Sequence, residues 1–320
     1  MKKINKSIQS VKAFAPATCA NVAVGFDILG FAVDSVGDYV TVTKREDKKI
    51  IIEFIEAVEP LPFNSYKNTA SVVIHKFCEA LNLEIGFSIS IKKGIPVSSG
   101  LGGSAASAVA ALVACNNFLT APLSTLELAN FAVIGEQVSS GQPHADNIVP
   151  CLFGGLTLIH SQQPLKVINL PSPNLYCVLI YPHLQVPTRL ARKVLKKTAP
   201  LAKYIQQSAN LATFITSLYT NDHNLLKNAL NDVLIEPQRA QFVPQFYRIK
   251  EAALQNGALG ASFSGSGPTL FALTKTKKEA QKVAESMQLV LQENNIASNY
   301  WLSRINKTGA LPVEINSCAI

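Results

Sequence analysis

The chain of 320 residues has no Cys-x-x-Cys pair, and its six cysteines (Cys19, Cys78, Cys115, Cys151, Cys177, Cys318) are scattered. That excludes a zinc ribbon and points to reduced thiols rather than a disulfide framework. Of the five histidines, His75, His144, His160, His183 and His223, no two have zinc-site spacing. No apolar run reaches bilayer-spanning length; the longest, around Ala105 to Cys115, is rich in Ala and Ser. The first eleven residues carry Lys2, Lys3 and Lys6 without an apolar core, so no secretory signal is expected. A cytoplasmic chain with no membrane partner is the expectation. A hydrolase elbow is missing as well, because Ser264-Gly265-Ser266-Gly267 lacks the opening glycine of Gly-x-Ser-x-Gly. The net charge is +8, yet the longest basic clusters are only Lys44-Arg45 and Lys48-Lys49, with no interleaved aromatics. No nucleic-acid partner is expected from that pattern.

Apolar residues make up 48% of the chain, enough for a sizeable core, and the length suits two domains. Short β-branched or alternating segments read as strands at 11–14, 38–43, 50–55, 87–91, 156–159 and 176–181. Helical spacing covers 69–82, 104–119, 124–138, 188–197, 204–219, 224–231, 244–256 and 278–294. Strands and helices mix without the regular rhythm of a doubly wound sheet, which favours an α+β chain. The polar stretch Ser161-Gln162-Gln163-Pro164 suggests a boundary near residue 165, giving domains 1–165 and 166–320.

The segment Pro96-Val97-Ser98-Ser99-Gly100-Leu101-Gly102-Gly103-Ser104-Ala105-Ala106 runs straight into a helical stretch. A glycine-rich turn opening a helix lets backbone N–H groups converge on an anion, backed by the helix dipole. A hydroxyl in the first helical turn can also reach a phosphate-bound metal. This is a phosphate cradle without the lysine of a Walker loop.

The setting resembles the phosphate loop of the GHMP small-molecule kinases. Three other segments agree: Ala15 to Asp27, His144-Ala145-Asp146-Asn147 with Phe153-Gly154-Gly155, and Gly257 to Thr269. Within the superfamily, Asn21 to Asp27 with Gly25-Phe26, and His144 to Asn147, are most similar to the homoserine kinase family. The resemblance spans nearly the whole chain. It implies a two-domain α+β fold, with an N-terminal half like domain 2 of ribosomal protein S5 and a ferredoxin-like C-terminal half. It also implies ATP and L-homoserine as substrates, O-phospho-L-homoserine as product on the way to threonine, and Mg²⁺ as cofactor. A homodimer is compatible with it. One departure is visible: Gly103 stands where many members have the first Ser of a pair, while Ser104 is retained.

Candidate residues follow from chemistry and resemblance together. Residues 96–106 would take ATP, and Asn68 would approach the adenine, although a helix N-cap explains Asn68 equally well. Ser104 and Glu136 would hold Mg²⁺. Glu136 sits on an apolar stretch, where a carboxylate is costly to bury unless paired or bound to a cation, and a solvated helical Glu is the competing reading. Taken singly, Asn21, Asp27, Asp146 and Asn147 are turn or cap types. Together they offer acceptors for an ammonium and amide contacts for a hydroxyl, and the resemblance gives all four to homoserine. It makes Asn21, Asp27 and Asn147 the catalytic set. Some related kinases have an Asp base where Asn147 stands, and an amide cannot take a proton. A substrate carboxylate calls for arginine. The family patterns select Thr188 with Arg192, and Arg239, over Arg189. The glycine-rich loop at 264–269 would back the phosphate loop. Two other readings compete: a GHMP kinase for mevalonate, a sugar or an isoprenoid precursor, and a catalytically silent relative acting as a regulator.

Overall fold

The computed structural model describes residues 3–140 and 145–317, so His144 and Cys318 lie outside the described residues. The chain begins with β1 (Ile8–Ala20), β2 (Leu29–Arg45), β3 (Ile50–Glu56), α1 (Thr69–Leu81) and β4 (Gly86–Lys92). Three helices follow, α2 (Gly103–Asn116), α3 (Thr125–Ser140) and α4 (Ala145–Phe153), then a hairpin of β5 (Leu156–Gln162) and β6 (Leu165–Leu170). Next come β7 (Tyr176–Pro182), α5 (Thr188–Lys193), α6 (Leu201–Thr220), α7 (His223–Ala229), α8 (Glu236–Arg239) and α9 (Phe246–Gln255). The chain closes with β8 (Gly260–Phe263), β9 (Leu270–Thr274), α10 (Lys277–Glu293), β10 (Ser298–Arg304) and β11 (Leu311–Ser317).

The first sheet has the order β11-β1-β2-β4-β3, with β5 added to β2 and β6 to β5. Period-two burial of Val11, Ala13, Ala15 and Ala17 shows how β1 turns one face to the core. Helix α2 is buried nearly all round, as its continuous Ala, Val and Leu content requires. The second sheet is antiparallel throughout, in the order β10-β7-β9-β8, with α9 before β8 and α10 between β9 and β10. That is the ferredoxin-like arrangement. Val178, Ile249, Ala272, Val283 and Met287 fill the space between this sheet and its two helices. The halves share a core: Phe31 of β2 meets Phe271 of β9 edge-on, with ring centroids 5.9 Å apart.

Several local expectations differ from the observed elements. Residue 165 opens β6, which pairs with β5 in the first sheet, so Gln163-Pro164 is a hairpin turn rather than a linker. Strand β11 also returns to the first sheet, Ile315 lying opposite Val11. Partition by sheets therefore falls between Leu170 and Tyr176, with the last strand restored to the first layer. Asp146 and Asn147, turn or cap types by composition, lie in the first turn of α4. Strands β6, β10 and β11 lie outside the segments with strand spacing, and α5 stops at Lys193, short of the expected 188–197.

Candidate active site

A cavity of about 720 Å³ lies between the halves, within the range of small-molecule sites. One end of it is lined by the loop ahead of α2. Gly102 is the N-cap residue in the left-handed region (φ 69°), and no side chain caps the helix. A Cβ at Gly102 would collide with Thr18 Oγ1 and stand 2.7 Å from Asn147 Oδ1. The backbone can approach a ligand here only because the residue is glycine. The Ser99 hydroxyl lines the cavity and is buried with no hydrogen-bond partner. An uncapped helix start beside an orphaned hydroxyl suits a phosphate group. Ser264 Oγ donates to Gly100 O (2.8 Å) and Thr269 N to Ser99 O (3.1 Å), so the β8–β9 turn backs this loop.

Ser104 Oγ donates to Glu136 Oε2 at 2.9 Å. Glu136 is buried because Gly135 lets α3 come against Val73 of α1, where a Cβ would clash. Two protein oxygens side by side at a phosphate loop fit Mg²⁺, which keeps its other positions for phosphate and water. Among the described residues no cluster of three or more His, Cys, Asp or Glu could hold a metal by itself.

The other end of the cavity is strongly charged. The turn between β1 and β2 keeps Asn21, Val22, Ala23 and Asp27 at positive φ. Such strain persists only where surroundings over-determine it. The Asn21 amide does so, donating to Gly265 O (2.8 Å) and accepting from Asp27 N (3.0 Å). Arg192 forms a bidentate pair with Asp27, at 2.7 and 2.9 Å. Arg239 is buried and donates to Gly265 O (2.8 Å) and Ala191 O (3.2 Å). Burial, helped by the Arg192 charge, pushes the Arg239 guanidinium down to about 10. Burial, reinforced by Asp27 and opposed by Arg192 and Arg239, pushes the Asp146 carboxyl up to about 7. Thr188 and Ser266 join hydroxyls across the cleft at 3.2 Å.

Comparison with known proteins shows the family. The N-terminal domain of the GHMP kinases matches residues 68–155 and their C-terminal domain residues 214–292. A homoserine kinase of Chloroherpeton thalassium is 42% identical over 95% of this chain and 99% of its own length. The chain belongs to the homoserine kinase family. A crystal structure of homoserine kinase from Cytophaga hutchinsonii is 41% identical and superposes with a TM-score of 0.93, over 95% of this chain and 98% of that one. Mevalonate kinase of L. major, at 17% identity and a TM-score of 0.75, shares the fold. The two-domain α+β architecture of GHMP kinases is thus the fold of this chain.

Of the positions singled out by resemblance to homoserine kinases, Asn21, Asp27, Asn68, Glu136, Asp146, Asn147, Thr188, Arg192 and Arg239 all reach the cavity. So do Val97 to Gly100 and Gly102 to Ala105. Pro96, Leu101 and Ala106 do not; Leu101 and Ala106 are fully buried in the core. Asn68 caps α1, its side chain accepting from Ala70 N (3.1 Å) and donating to Pro62 O (3.1 Å).

Two contributors went unseen in the sequence. Thr18 Oγ1 donates to Asn147 Oδ1 at 2.8 Å and fixes the way that amide faces. Lys93 Nζ donates to Gly103 O (2.8 Å) and Ser107 Oγ (3.0 Å) and pairs with the fully buried Asp38. Asp38 in turn accepts from Gly94 N and Ile95 N, both at 3.1 Å. This buried cluster ties the entry of the phosphate loop to the first turn of α2. A lone Asp inside an alternating strand was the available signal.

Asp146 carries a stability cost with a definite sign. Its carboxyl lies near 3.8 when exposed and near 7 in the fold, so the unfolded chain binds fewer protons between those values. Stability contributed here is therefore greatest below about pH 4 and is lost as pH rises towards 7. Asp146→Asn should grow more stable relative to the parent across that window, by up to about 1.4 kcal/mol per pH unit. Denaturant melts at pH 5 and pH 8 check this; a constant difference between the two would mean that Asp146 titrates normally.

Proposed function

We propose that this chain transfers the γ-phosphoryl group of ATP to the side-chain hydroxyl of L-homoserine, giving O-phospho-L-homoserine. The observation that carries the reading is the gathering of two arginines, Arg192 and Arg239, and two aspartates, Asp27 and Asp146, at one end of the cavity, with Arg192 and Asp27 in a bidentate pair. An acceptor that is itself a zwitterion suits that set. Phosphoryl transfer demands positioning and charge stabilisation more than covalent help. The uncapped start of α2 and residues 97–105 would cradle the phosphates, while Leu61, Pro62 and Asn68 border the cavity where the base would lie. Ser104 and Glu136 would hold Mg²⁺, which offsets phosphate charge. Asp27 and Asp146 would take the ammonium, Arg192 and Arg239 the carboxylate, and Asn147 would orient the hydroxyl. Thr188, whose hydroxyl meets that of Ser266 at the cleft, would border the acceptor. Asn147 cannot accept a proton, so its part is orientation and no dedicated base is assigned. Among the described residues no helix is long and apolar enough to cross a membrane; a cytoplasmic biosynthetic enzyme, possible as a homodimer, completes the proposal.

Homoserine should stimulate ADP release well above mevalonate, galactose or shikimate, because it alone offers ammonium, carboxylate and hydroxyl together. A better rate with mevalonate or a sugar would reject the amino-acid assignment.

The arginines separate in the same assay. Hydrogen bonds to charged groups are worth roughly 1.5–3 kcal/mol, so Arg192→Leu or Arg239→Leu should raise homoserine KM roughly ten- to a hundredfold, with ATP KM near normal. Arg189 is exposed at the rim and Arg189→Leu should do much less. If Arg189→Leu damages homoserine binding and Arg192→Leu spares it, the carboxylate clamp belongs one turn earlier.

A further inference from the structure

Asp27 and Arg192 stand 165 positions apart in the chain and hold each other by two bonds, Nη2 to Oδ1 at 2.7 Å and Nη1 to Oδ2 at 2.9 Å. The acceptor assignments above give these two residues opposite ends of one zwitterion. In the ligand-free cleft each therefore occupies the place of the group the other is to bind. We infer that this pair is a charge-exchange lock that selects a zwitterionic acceptor. The inference rests on the homoserine reading and adds the element that rejects other alcohols.

The exchange is balanced only for a ligand that carries both charges. Its ammonium replaces the guanidinium at Asp27, and its carboxylate replaces the aspartate at Arg192. A ligand with an ammonium alone gains Asp27 but gives up both bonds between Asp27 and Arg192. A ligand with a carboxylate alone takes Arg192 and strands Asp27. Both side chains are about 70% covered (28% and 32% exposed), so losing their mutual pair offsets much of the one new contact.

The neighbours suit this exchange. Phe26 presents its ring to both guanidinia, 5.6 Å from Arg192 and 5.2 Å from Arg239, so a released Arg192 keeps a favourable neighbour. The backbone of Asp27 is held by the Asn21 amide, which leaves the rearrangement to side chains. Arg239 is anchored to the Gly265 and Ala191 carbonyls and stays in place as the second arm of the clamp.

Thermal-shift titrations of the full chain test this with three ligands of one skeleton. They are homoserine, propanolamine (no carboxylate) and γ-hydroxybutyrate (no ammonium), and ligand stabilisation reports affinity in each case. Arg192→Gln frees Asp27, so it should weaken homoserine yet tighten propanolamine roughly tenfold, the equivalent of one charge-assisted bond. Asp27→Asn should weaken homoserine and tighten γ-hydroxybutyrate by a similar factor. A gain in affinity cannot come from a misfolded variant. If homoserine weakens in both variants while neither analogue tightens, the lock is wrong and the homoserine reading stands. If the parent chain does not respond to homoserine at all, both fall.

Discussion

Glu136→Gln should lower kcat by on the order of a hundredfold or more, the scale of losing a preorganised electrostatic partner of the transition state. The substitution keeps shape and can still accept from Ser104 Oγ, now 2.9 Å from the carboxylate. What it removes is the negative charge. Burial of a carboxylate at this depth is expensive, and Gly135 is the device that brings it there by letting α3 press on Val73. An amide would be cheaper to bury, so the variant should be at least as stable as the parent. Loss of turnover without loss of stability is the signature of a charge kept for chemistry. Steady-state kinetics across a Mg²⁺ titration measures it, and the Mg²⁺ requirement should rise as kcat falls. Near-normal kcat with an unchanged Mg²⁺ profile would remove Glu136 from the metal site.

The largest effect on stability belongs to Lys93→Met. Lys93 and Asp38 form an ion pair with side chains 6% and 0% exposed, and deleting one partner of such a pair costs about 3–5 kcal/mol. The Gly103 carbonyl and the Ser107 hydroxyl lose a donor at the same time. Adding Asp38→Asn to Lys93→Met should recover part of the loss, because asparagine keeps an acceptor for Gly94 N and Ile95 N without a stranded charge. Chemical denaturation of the two variants decides the matter. If Lys93→Met stays within about 1 kcal/mol of the parent, or the second change deepens the loss, the pair is not what holds the loop.

The sequence by itself determined the parts whose physics is local. Glycines at 100, 102 and 103 ahead of an Ala-rich helix announce an anion cradle, because only backbone can come so close and only glycine takes the turn at Gly102. The chemical types at Asn21, Asp27, Asp146, Arg192 and Arg239 could be named, since a zwitterion dictates its partners. Most helices were legible from spacing, α10 among them, whose capping box of Thr276 and Glu279 is written in the chain.

Tertiary structure alone decided who meets whom. Strand β11 is an edge strand containing Pro312, and its place beside β1 follows from a pairing across the whole chain that no local pattern encodes. Helix α4 contains Pro150, which masks its helical spacing. The Lys93–Asp38 pair joins residues 55 apart, and a buried charge looks in sequence like any exposed one. Asp27 and Arg192 were both marked for substrate, but only the fold shows them bonded to each other. Local composition fixes which groups a site can offer; the long-range closure of two sheets on a shared core fixes their distances, and so their charges and their specificity.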